Sequence, residues 1–150
     1  MSQSLSQVLL HVVFSTKERR PFLHREIEDE LYAYLGGTLR NLGSPALVIG
    51  GADDHVHILC RLSRTMAVSD LLEEVKKNSS KWIKTKGPGY RDFAWQGGYG
   101  VFSVSLSNVE AVKAYISGQR EHHHRHTFQE EFLHILHRAG VAYDDRYIWA

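Results

Sequence analysis

Two kinds of apolar periodicity follow one another along the chain, and their order restricts the fold. Apolar residues alternate with other residues in segments 7–16, 55–62 and 99–106, a pattern that is typical of strands. A short apolar run at 46–49, ended by a Gly-Gly pair, predicts a further strand. Because only a short loop separates this run from segment 55–62, we expect these two strands to form a hairpin.

Helical spacing of apolar residues occurs in four other segments, at 25–42, 69–84, 108–119 and 127–137. The elements therefore run strand, helix, strand, strand, helix, strand, and then helices. This order predicts an α+β fold of the ferredoxin-like, split βαβ type, with helices on one face of an antiparallel sheet and the other face available. Residues 1–150 are expected to form a single domain.

Composition narrows the class of protein. The chain has 150 residues, 43% of them apolar and 23% charged, which is ordinary for a globular domain. Lys and Arg number 18 against 17 Asp and Glu, so a nucleic-acid-binding face would have to come from local clustering of charge. We find no leader peptide and no apolar stretch of about 20 residues, so the sequence predicts a cytoplasmic protein without a membrane partner.

The chain contains ten histidines, an unusual number that directs attention to metal binding or acid–base chemistry. His55 and His57 are separated by one residue on a predicted strand, so both imidazoles point to the same side and can reach one cation. The alternative is a pair of half-buried histidines that simply lie on a sheet. Three further histidines at 122–124 splay around a helix, so they indicate either a polar surface that contacts phosphate or a solvated helix end.

Tyr115 and Gln119 are four residues apart on the predicted C-terminal helix 108–119 and therefore share one face. A phenol can act as a nucleophile toward phosphorus, and a glutamine carbonyl is a hard oxygen ligand. The alternative is a tyrosine of the core or an interface beside a solvated glutamine. Six other tyrosines compete for the nucleophilic role.

Basic residues cluster at two places that could follow a nucleic-acid backbone. The first cluster lies in one polar loop and consists of Lys17, Arg19 and Arg20. The second lies in the latter half of helix 69–84 and just beyond it, and its members proposed to bind DNA are Lys76, Lys77 and Lys81. A solvated helix face with no ligand explains the second cluster equally well.

Four stretches, in this order, resemble the HUH endonuclease superfamily, specifically its insertion-sequence transposases with a single catalytic tyrosine, the TnpA-like and REP-associated tyrosine transposases. They are VFSTK at 13–17, HVHIL at 55–59, WQGGYGVFSV at 95–104 and YISGQREHH at 115–123. Each stretch alone is weakly specific, whereas the ordered set is specific. The resemblance extends from about residue 7 to about residue 132.

The resemblance implies that His55 and His57 bind Mg²⁺ or Mn²⁺, that Gln119 is the third ligand and that Tyr115 is the nucleophile. It implies a metal-dependent transesterification that leaves a 5′-phosphotyrosine bond and a free 3′-hydroxyl, a reaction that needs no ATP motif. The implied partners are single-stranded DNA with hairpins at transposon ends and a second copy of the chain. Which subunit of the homodimer supplies Tyr115 stays open.

The sequence leaves three other classes of protein to compare with this one. A non-catalytic ferredoxin-like module that binds RNA would stack bases on the open sheet face, but the first strand offers no aromatic pair there. A nucleotide hydrolase with a His-x-His-x-His run is disfavoured because residue 59 is Leu. A structural domain with incidental histidines remains an alternative if no metal binds.

Overall fold

A four-stranded antiparallel sheet forms the centre of the computed structural model, which describes residues 2–150; Met1, the first residue of the predicted domain, lies outside them. The strands are β1 Leu9–Ser15, β2 Ala46–Ala52, β3 His55–Arg61 and β4 Gly100–Val104. They are arranged in the order β2-β3-β1-β4 with antiparallel neighbours. This is the order of the split βαβ plan, so the predicted α+β, ferredoxin-like fold is confirmed.

Within residues 2–150, five α-helices pack on the sheet: α1 Arg25–Asn41, α2 Val68–Lys84, α3 Val109–Ser117, α4 Gln119–His122 and α5 Phe128–Ala139. Their positions follow the predicted helical segments, except that the helix expected at 108–119 is divided at Gly118 into α3 and α4. No helix within residues 2–150 is both long and apolar enough to cross a membrane.

The sheet is covered on both faces. Leu10, Val12 and Phe14 of β1 belong to a core that also contains the buried faces of α1 and α2. The opposite face of β1 carries Leu9, which packs with α3, and Val13, which packs with α5. Apolar side chains on that second face need cover from water, so the face that the sequence predicts to be available is instead occupied by α3 and α5.

Strand β2 continues through its Gly-Gly pair, three residues further than the apolar run 46–49 predicts. Gly50 and Gly51 pair with His57 and Val56 of β3. The antiparallel ladder continues through them because glycine has the backbone N–H and C=O groups that the ladder needs. Gly50 also lets α3 approach closely: a Cβ atom at this position would lie 2.3 Å from the carbonyl oxygen of Ile116. The position of α3, and hence of Tyr115, therefore depends on the missing side chain.

We predict that Gly50→Ala lowers the free energy of unfolding by about 1–3 kcal/mol, the usual cost of overpacking against a backbone that cannot yield. Urea unfolding followed by circular dichroism measures the change. The matched control is Gly37→Ala within α1, where an added Cβ meets nothing within 4 Å. That control should be neutral or stabilising, since Ala exceeds Gly in helix propensity by up to about 1 kcal/mol. Equal stability of Gly50→Ala and wild type would contradict the close approach of α3.

Candidate active site

The two histidines of β3 lie side by side on the sheet face that α3, α4 and α5 cover. In the β1–β3 ladder, His57 pairs with Val13 and His55 pairs with Ser15. Both imidazoles are fully buried. The predicted geometry, with both side chains on one side of a strand, is what the structure shows.

Tyr115 reaches the histidines from the last turns of α3. Its ring stands edge-on to His57, with ring centroids 5.6 Å apart, and edge-on to His11 of β1, with centroids 6.2 Å apart. Gln119 follows after the break at Gly118 and is itself buried. The break does not separate the two side chains, because both contact the same carboxylate of α5.

That carboxylate belongs to Glu131, which the sequence analysis did not single out. Its side chain is almost completely buried, and its Oε1 lies 3.0 Å from the Nε2 atom of His57. Its Oε2 accepts hydrogen bonds from the hydroxyl of Tyr115 and from Nε2 of Gln119, the latter at 2.9 Å. A signal for it does exist in the sequence: Glu131 falls beside Phe128 and Phe132 on the apolar face of an amphipathic helix, where a carboxylate is uncommon.

Two of the three consecutive histidines also approach this carboxylate. His123 Nε2 lies 3.0 Å from Glu131 Oε1, and His122 Nε2 lies 3.6 Å from Glu131 Oε2, whereas His124 is exposed. The tract is thus partly a wall of the site and partly a solvated helix end. The exposed His124 agrees with the solvated helix end, while the phosphate contact stays a prediction.

Burial sets the protonation of the histidines beneath the site. It lowers the pKa of His57 to about 3 and that of His11 to about 4, despite the opposing attraction of Glu131. Nε2 of His11 and Nδ1 of His57 are 2.7 Å apart and share one hydrogen, so each orients the other ring. Like Glu131, His11 is therefore a residue of this site that the sequence patterns did not single out.

Opposing influences act on Glu131 and Tyr115. Burial raises the pKa of Glu131, but hydrogen bonds from His123, His57 and the Tyr115 hydroxyl outweigh burial and hold that pKa far below its usual range. Burial, and then the hydrogen bond to Glu131, raises the pKa of Tyr115. The site therefore holds an ionised carboxylate beside a protonated phenol at neutral pH.

The atoms that face one another around His55 are mostly hydrogen-bond acceptors. Nδ1 of His55 lies 2.8 Å from a carboxylate oxygen of Asp54, to which it donates, so Nε2 of the neutral ring carries a lone pair. Gln119 turns its amide nitrogen to Glu131, which leaves Oε1 of Gln119 at 2.9 Å from that lone pair. Glu131 Oε1 is 3.4 Å from the same nitrogen. Acceptors at such distances require either a proton on Nε2 of His55, as in an ordinary hydrogen bond, or a cation among them.

These separations fit a divalent ion. In an octahedral site with bonds of about 2.1 Å, adjacent ligand atoms lie about 3.0 Å apart. The distances of 2.9 Å between His55 and Gln119 and 3.0 Å between His57 and Glu131 match that edge. Second contacts to the other ring nitrogens, from Asp54 and His11, are the usual supports of metal-binding imidazoles. The predicted ligands His55, His57 and Gln119 are thus brought together in a donor set that suits Mg²⁺ or Mn²⁺.

The predicted basic loop lies at the same end of the sheet as His55. The backbone amide of Thr16 donates to the carbonyl of Asp54, and that of Lys17 donates to Ala94, so this loop borders the turn before β3. Lys17 and Arg20 are exposed, and the Arg20 guanidinium stacks over Phe22. The third member of the cluster, Arg19, is half-buried and stacks over the Trp149 ring.

The predicted lysines of α2 lie elsewhere, because α2 packs on the opposite face of the sheet from Tyr115. The ammonium group of Lys76 donates to the carbonyls of Gln96 and Gly98, both at 2.6 Å, and burial lowers its pKa to about 8. It holds the glycine-rich loop before β4. Lys77 and Lys81 are exposed, and Lys77 forms an ion pair with Glu74 of the same helix.

An open cleft of about 880 Å³ leads to the phenol between β4, α3 and α5. Imidazoles, one guanidinium and an aromatic ring line it together with Tyr115. These lining side chains are His11, His122, His126, His134, Arg138 and Phe102. A guanidinium, polar imidazoles and an aromatic ring are groups that can contact phosphates and bases of a single strand, and the carboxylates of Glu130 and Glu131 line the same cleft.

Comparison with known proteins identifies relatives of the chain. The sequence model of the family described as IS200-like transposases matches residues 4–119. The ISDra2 transposase TnpA of Deinococcus radiodurans is 23% identical over 120 residues, covering 77% of this chain and 86% of the relative. A crystal structure of a candidate transposase from Deinococcus radiodurans shares the fold with a TM-score of 0.62 and 22% identity, covering 77% of this chain and 95% of that one.

A second solved structure, a REP-associated tyrosine transposase bound to a REP hairpin, has a TM-score of 0.55 and 16% identity, over 77% of this chain and 70% of that one. Fold and sequence thus define a transposase built on a four-stranded antiparallel sheet. The chain belongs to the IS200-like transposase family, a family of DNA-processing enzymes, because the family match spans most of its length. The resemblance drawn from the four sequence stretches is confirmed.

Acid should destabilise the metal-free protein, because His11 and His57 have lowered pKa values in the fold. Between about 4 and the ordinary value of 6.5, the unfolded chain binds more protons at these groups, so the free energy of unfolding rises with pH and levels off above 6.5. Each histidine contributes a slope of up to about 1.4 kcal/mol per pH unit. Burial lowers the pKa of His123, but its hydrogen bond to Glu131 outweighs burial and raises that pKa. His123 therefore contributes stability that decreases as pH rises, which reduces the summed slope.

Urea unfolding between pH 7.5 and 5 in the presence of a chelator measures this slope. His11→Gln, which keeps a hydrogen-bonding side chain, should flatten the profile, and His124→Gln on the exposed part of the histidine tract should not. A profile that is flat in wild type would show that the buried histidines do not remain neutral.

Proposed function

We propose that this protein is a single-stranded DNA transposase that cleaves and rejoins transposon ends through a covalent bond to Tyr115, with a divalent cation at His55, His57 and Gln119. The observation that carries the proposal is the convergence of the Tyr115 hydroxyl with the histidine pair in one buried cluster. Membership of the family supports a DNA substrate.

The cation would be Mg²⁺ or Mn²⁺, and when bound it would act as a Lewis acid that neutralises charge on the oxygens of the attacked phosphate. His55 and His57 present neutral imidazoles to it, and Gln119 presents a carbonyl oxygen. Because these ligands carry no charge, they leave the cation its full attraction for phosphate. Asp54 and His11 hold the two imidazole rings in the orientation that binding needs.

Tyr115 is the proposed nucleophile, and its surroundings determine when it can react. The phenol is partly exposed to the cleft, where a phosphate can approach it, and its hydroxyl donates to Glu131, which lines the same cleft. In the attack the phenol gives up its proton to water, its oxygen bonds to phosphorus, and the bond from phosphorus to the 3′ oxygen breaks. The 3′ oxygen takes a proton from water and leaves as a free hydroxyl. The phosphodiester energy is kept in the 5′-phosphotyrosine, so the step reverses at a new end.

The proposed substrate is single-stranded DNA with hairpins at the transposon ends. Its cleaved strand would occupy the cleft beside Tyr115, and its backbone would reach the loop with Lys17, Arg19 and Arg20 near His55. On α2, the exposed Lys77 and Lys81 are available for a more distant part of the DNA, whereas Lys76 would first have to leave its two carbonyl partners.

The protein is proposed to act as a homodimer, as the family resemblance implies. In a single chain the proposed nucleophile and the three proposed ligands gather around Glu131, which supports action of Tyr115 on the cation site of its own chain. Light scattering during size-exclusion chromatography determines the assembly, and a purely monomeric protein would remove this part of the proposal.

The covalent intermediate provides the direct test. Wild-type protein incubated with Mn²⁺ and labelled single-stranded DNA from the flanks of its own gene should give a slow-migrating band on a denaturing gel. Tyr115→Phe should abolish this band because it lacks the attacking oxygen, and His57→Ala should reduce it at least about a hundredfold through loss of a ligand.

The control is Tyr147→Phe, because Tyr147 is exposed in the C-terminal segment. It should form as much covalent complex as wild type. A band that persists in Tyr115→Phe would assign the nucleophile to another residue, and a band independent of added metal in the presence of chelator would remove the cation from the proposal.

The basic loop and α2 make separable predictions for DNA affinity. In a Tyr115→Phe background, Lys17→Ala with Arg20→Ala should weaken binding of a hairpin oligonucleotide and make its salt dependence shallower, by about 0.7 per lost phosphate contact in a plot of log affinity against log salt. Lys77→Ala with Lys81→Ala tests α2 in the same way. Arg146→Ala is the control, since its guanidinium is paired with Asp144. Slopes that match wild type would exclude the altered region from the DNA interface.

A further inference from the structure

Glu131 connects the histidine pair with the tyrosine. Its Oε1 faces Nε2 of His57 at 3.0 Å and Nε2 of His55 at 3.4 Å. Its Oε2 faces the Tyr115 hydroxyl and the amide nitrogen of Gln119. One carboxylate oxygen therefore lies among the proposed ligand atoms, and the other lies beside the proposed nucleophile.

A buried carboxylate is costly unless a positive charge or several hydrogen bonds compensate it. Within residues 2–150, every ion-pair partner of Glu131 is a histidine, and none is Lys or Arg. His55, His57 and Glu131 offer one ligand atom each within 4.8 Å of one another. The position thus combines a strong anionic ligand with two imidazoles and lacks a permanent side-chain cation.

Helix α5 holds Glu131 firmly in this position. The helix begins at a capping box in which Thr127 and Glu130 bond each other's backbone amides. Phe128 and Phe132 then pack with Val13 of β1. The carboxylate is therefore fixed by a core contact on either side of it and is not carried by a loose terminal segment.

We propose that Glu131 is a fourth protein ligand of the divalent cation, supplied by a helix that lies beyond the family-matched residues 4–119. The inference rests on the proposed function, since it requires the cation at His55 and His57. Gln119 and the two histidines give the cation three neutral ligands, and Glu131 adds one negative charge and a hard oxygen, which Mg²⁺ and Mn²⁺ prefer. The added charge tightens cation binding and reduces the number of water ligands.

Metal binding without DNA tests this role. Mn²⁺ is titrated by calorimetry into wild type, Glu131→Gln and Glu131→Ala, and water-proton relaxation measures the waters on the bound ion. Loss of the charge in Glu131→Gln should weaken Mn²⁺ binding at least about tenfold, and loss of the oxygen in Glu131→Ala should weaken it further. The Mn²⁺ ion that still binds to Glu131→Ala should have more bound water molecules than the ion in wild type.

The matched control is Glu130→Gln, which removes one carboxylate from the adjacent residue and retains a side chain that can complete the capping box. Its Mn²⁺ affinity should equal that of wild type. Circular dichroism melting checks that each variant folds. If Glu131→Ala does not fold, the isosteric Glu131→Gln decides the result.

Two other outcomes overturn the inference in different ways. Wild-type affinity in Glu131→Gln and Glu131→Ala, with binding still abolished by His55→Ala, would leave the proposed cation site intact and restrict Glu131 to holding Tyr115 and Gln119. No Mn²⁺ binding by wild type, or binding that His55→Ala does not change, would overturn the proposed cation site and the role of Glu131 together.

Discussion

The antiparallel pairing of β1 with β3 is the constraint on which the site depends. Its register places His57 opposite Val13 and His55 opposite Ser15, and it brings His11 within hydrogen-bonding distance of His57. Because side chains alternate along a strand, a slip of one residue would turn both β3 histidines into the core under α1 and α2. The many apolar contacts of the two faces therefore also fix the orientation of the imidazoles proposed to bind the cation.

A second set of contacts ties α4, the short helix after α3, to α1 on the other face of the sheet and to the turn before β3. Arg120, the residue after Gln119, donates to Glu28 of α1 and to Asp53 in the turn before β3, each at 2.8 Å. Burial lowers the pKa of this guanidinium, but its bonds to the two carboxylates prevail and raise it. Since α4 has only one turn, these bonds compensate for its short length. They hold Gln119 at His55 although the chain breaks its helix at Gly118.

The sequence predicts those features that depend on local periodicity. Alternation locates the strands, the His-x-His spacing puts two imidazoles on one side, and a spacing of four brings Tyr115 and Gln119 to one face. The break at Gly118 depends on how α3 packs on β2 and is not encoded in the spacing. Lys76 shows the same limit. The clustering of basic residues predicts that Lys76 contacts DNA, whereas in the fold two backbone carbonyls of a distant loop bind its ammonium group.

Glu131 is the clearest case of a residue whose role depends on tertiary structure. In the sequence it is one of several acidic residues in a helix, and only the docking of α5 against Val13 carries it to the histidines, 74 residues away along the chain from His57. Its position imposes opposite demands on the site. The hydrogen bond to the carboxylate raises the pKa of the phenol and so keeps the proton on Tyr115. Attack on phosphorus, in contrast, requires the phenol oxygen to lose that proton and to lie within about 3.5 Å of the phosphorus atom. Under the proposed function, a cation that draws negative charge from the carboxylate would weaken its hold on that proton, so metal binding and release of the proposed nucleophile would be coupled through Glu131.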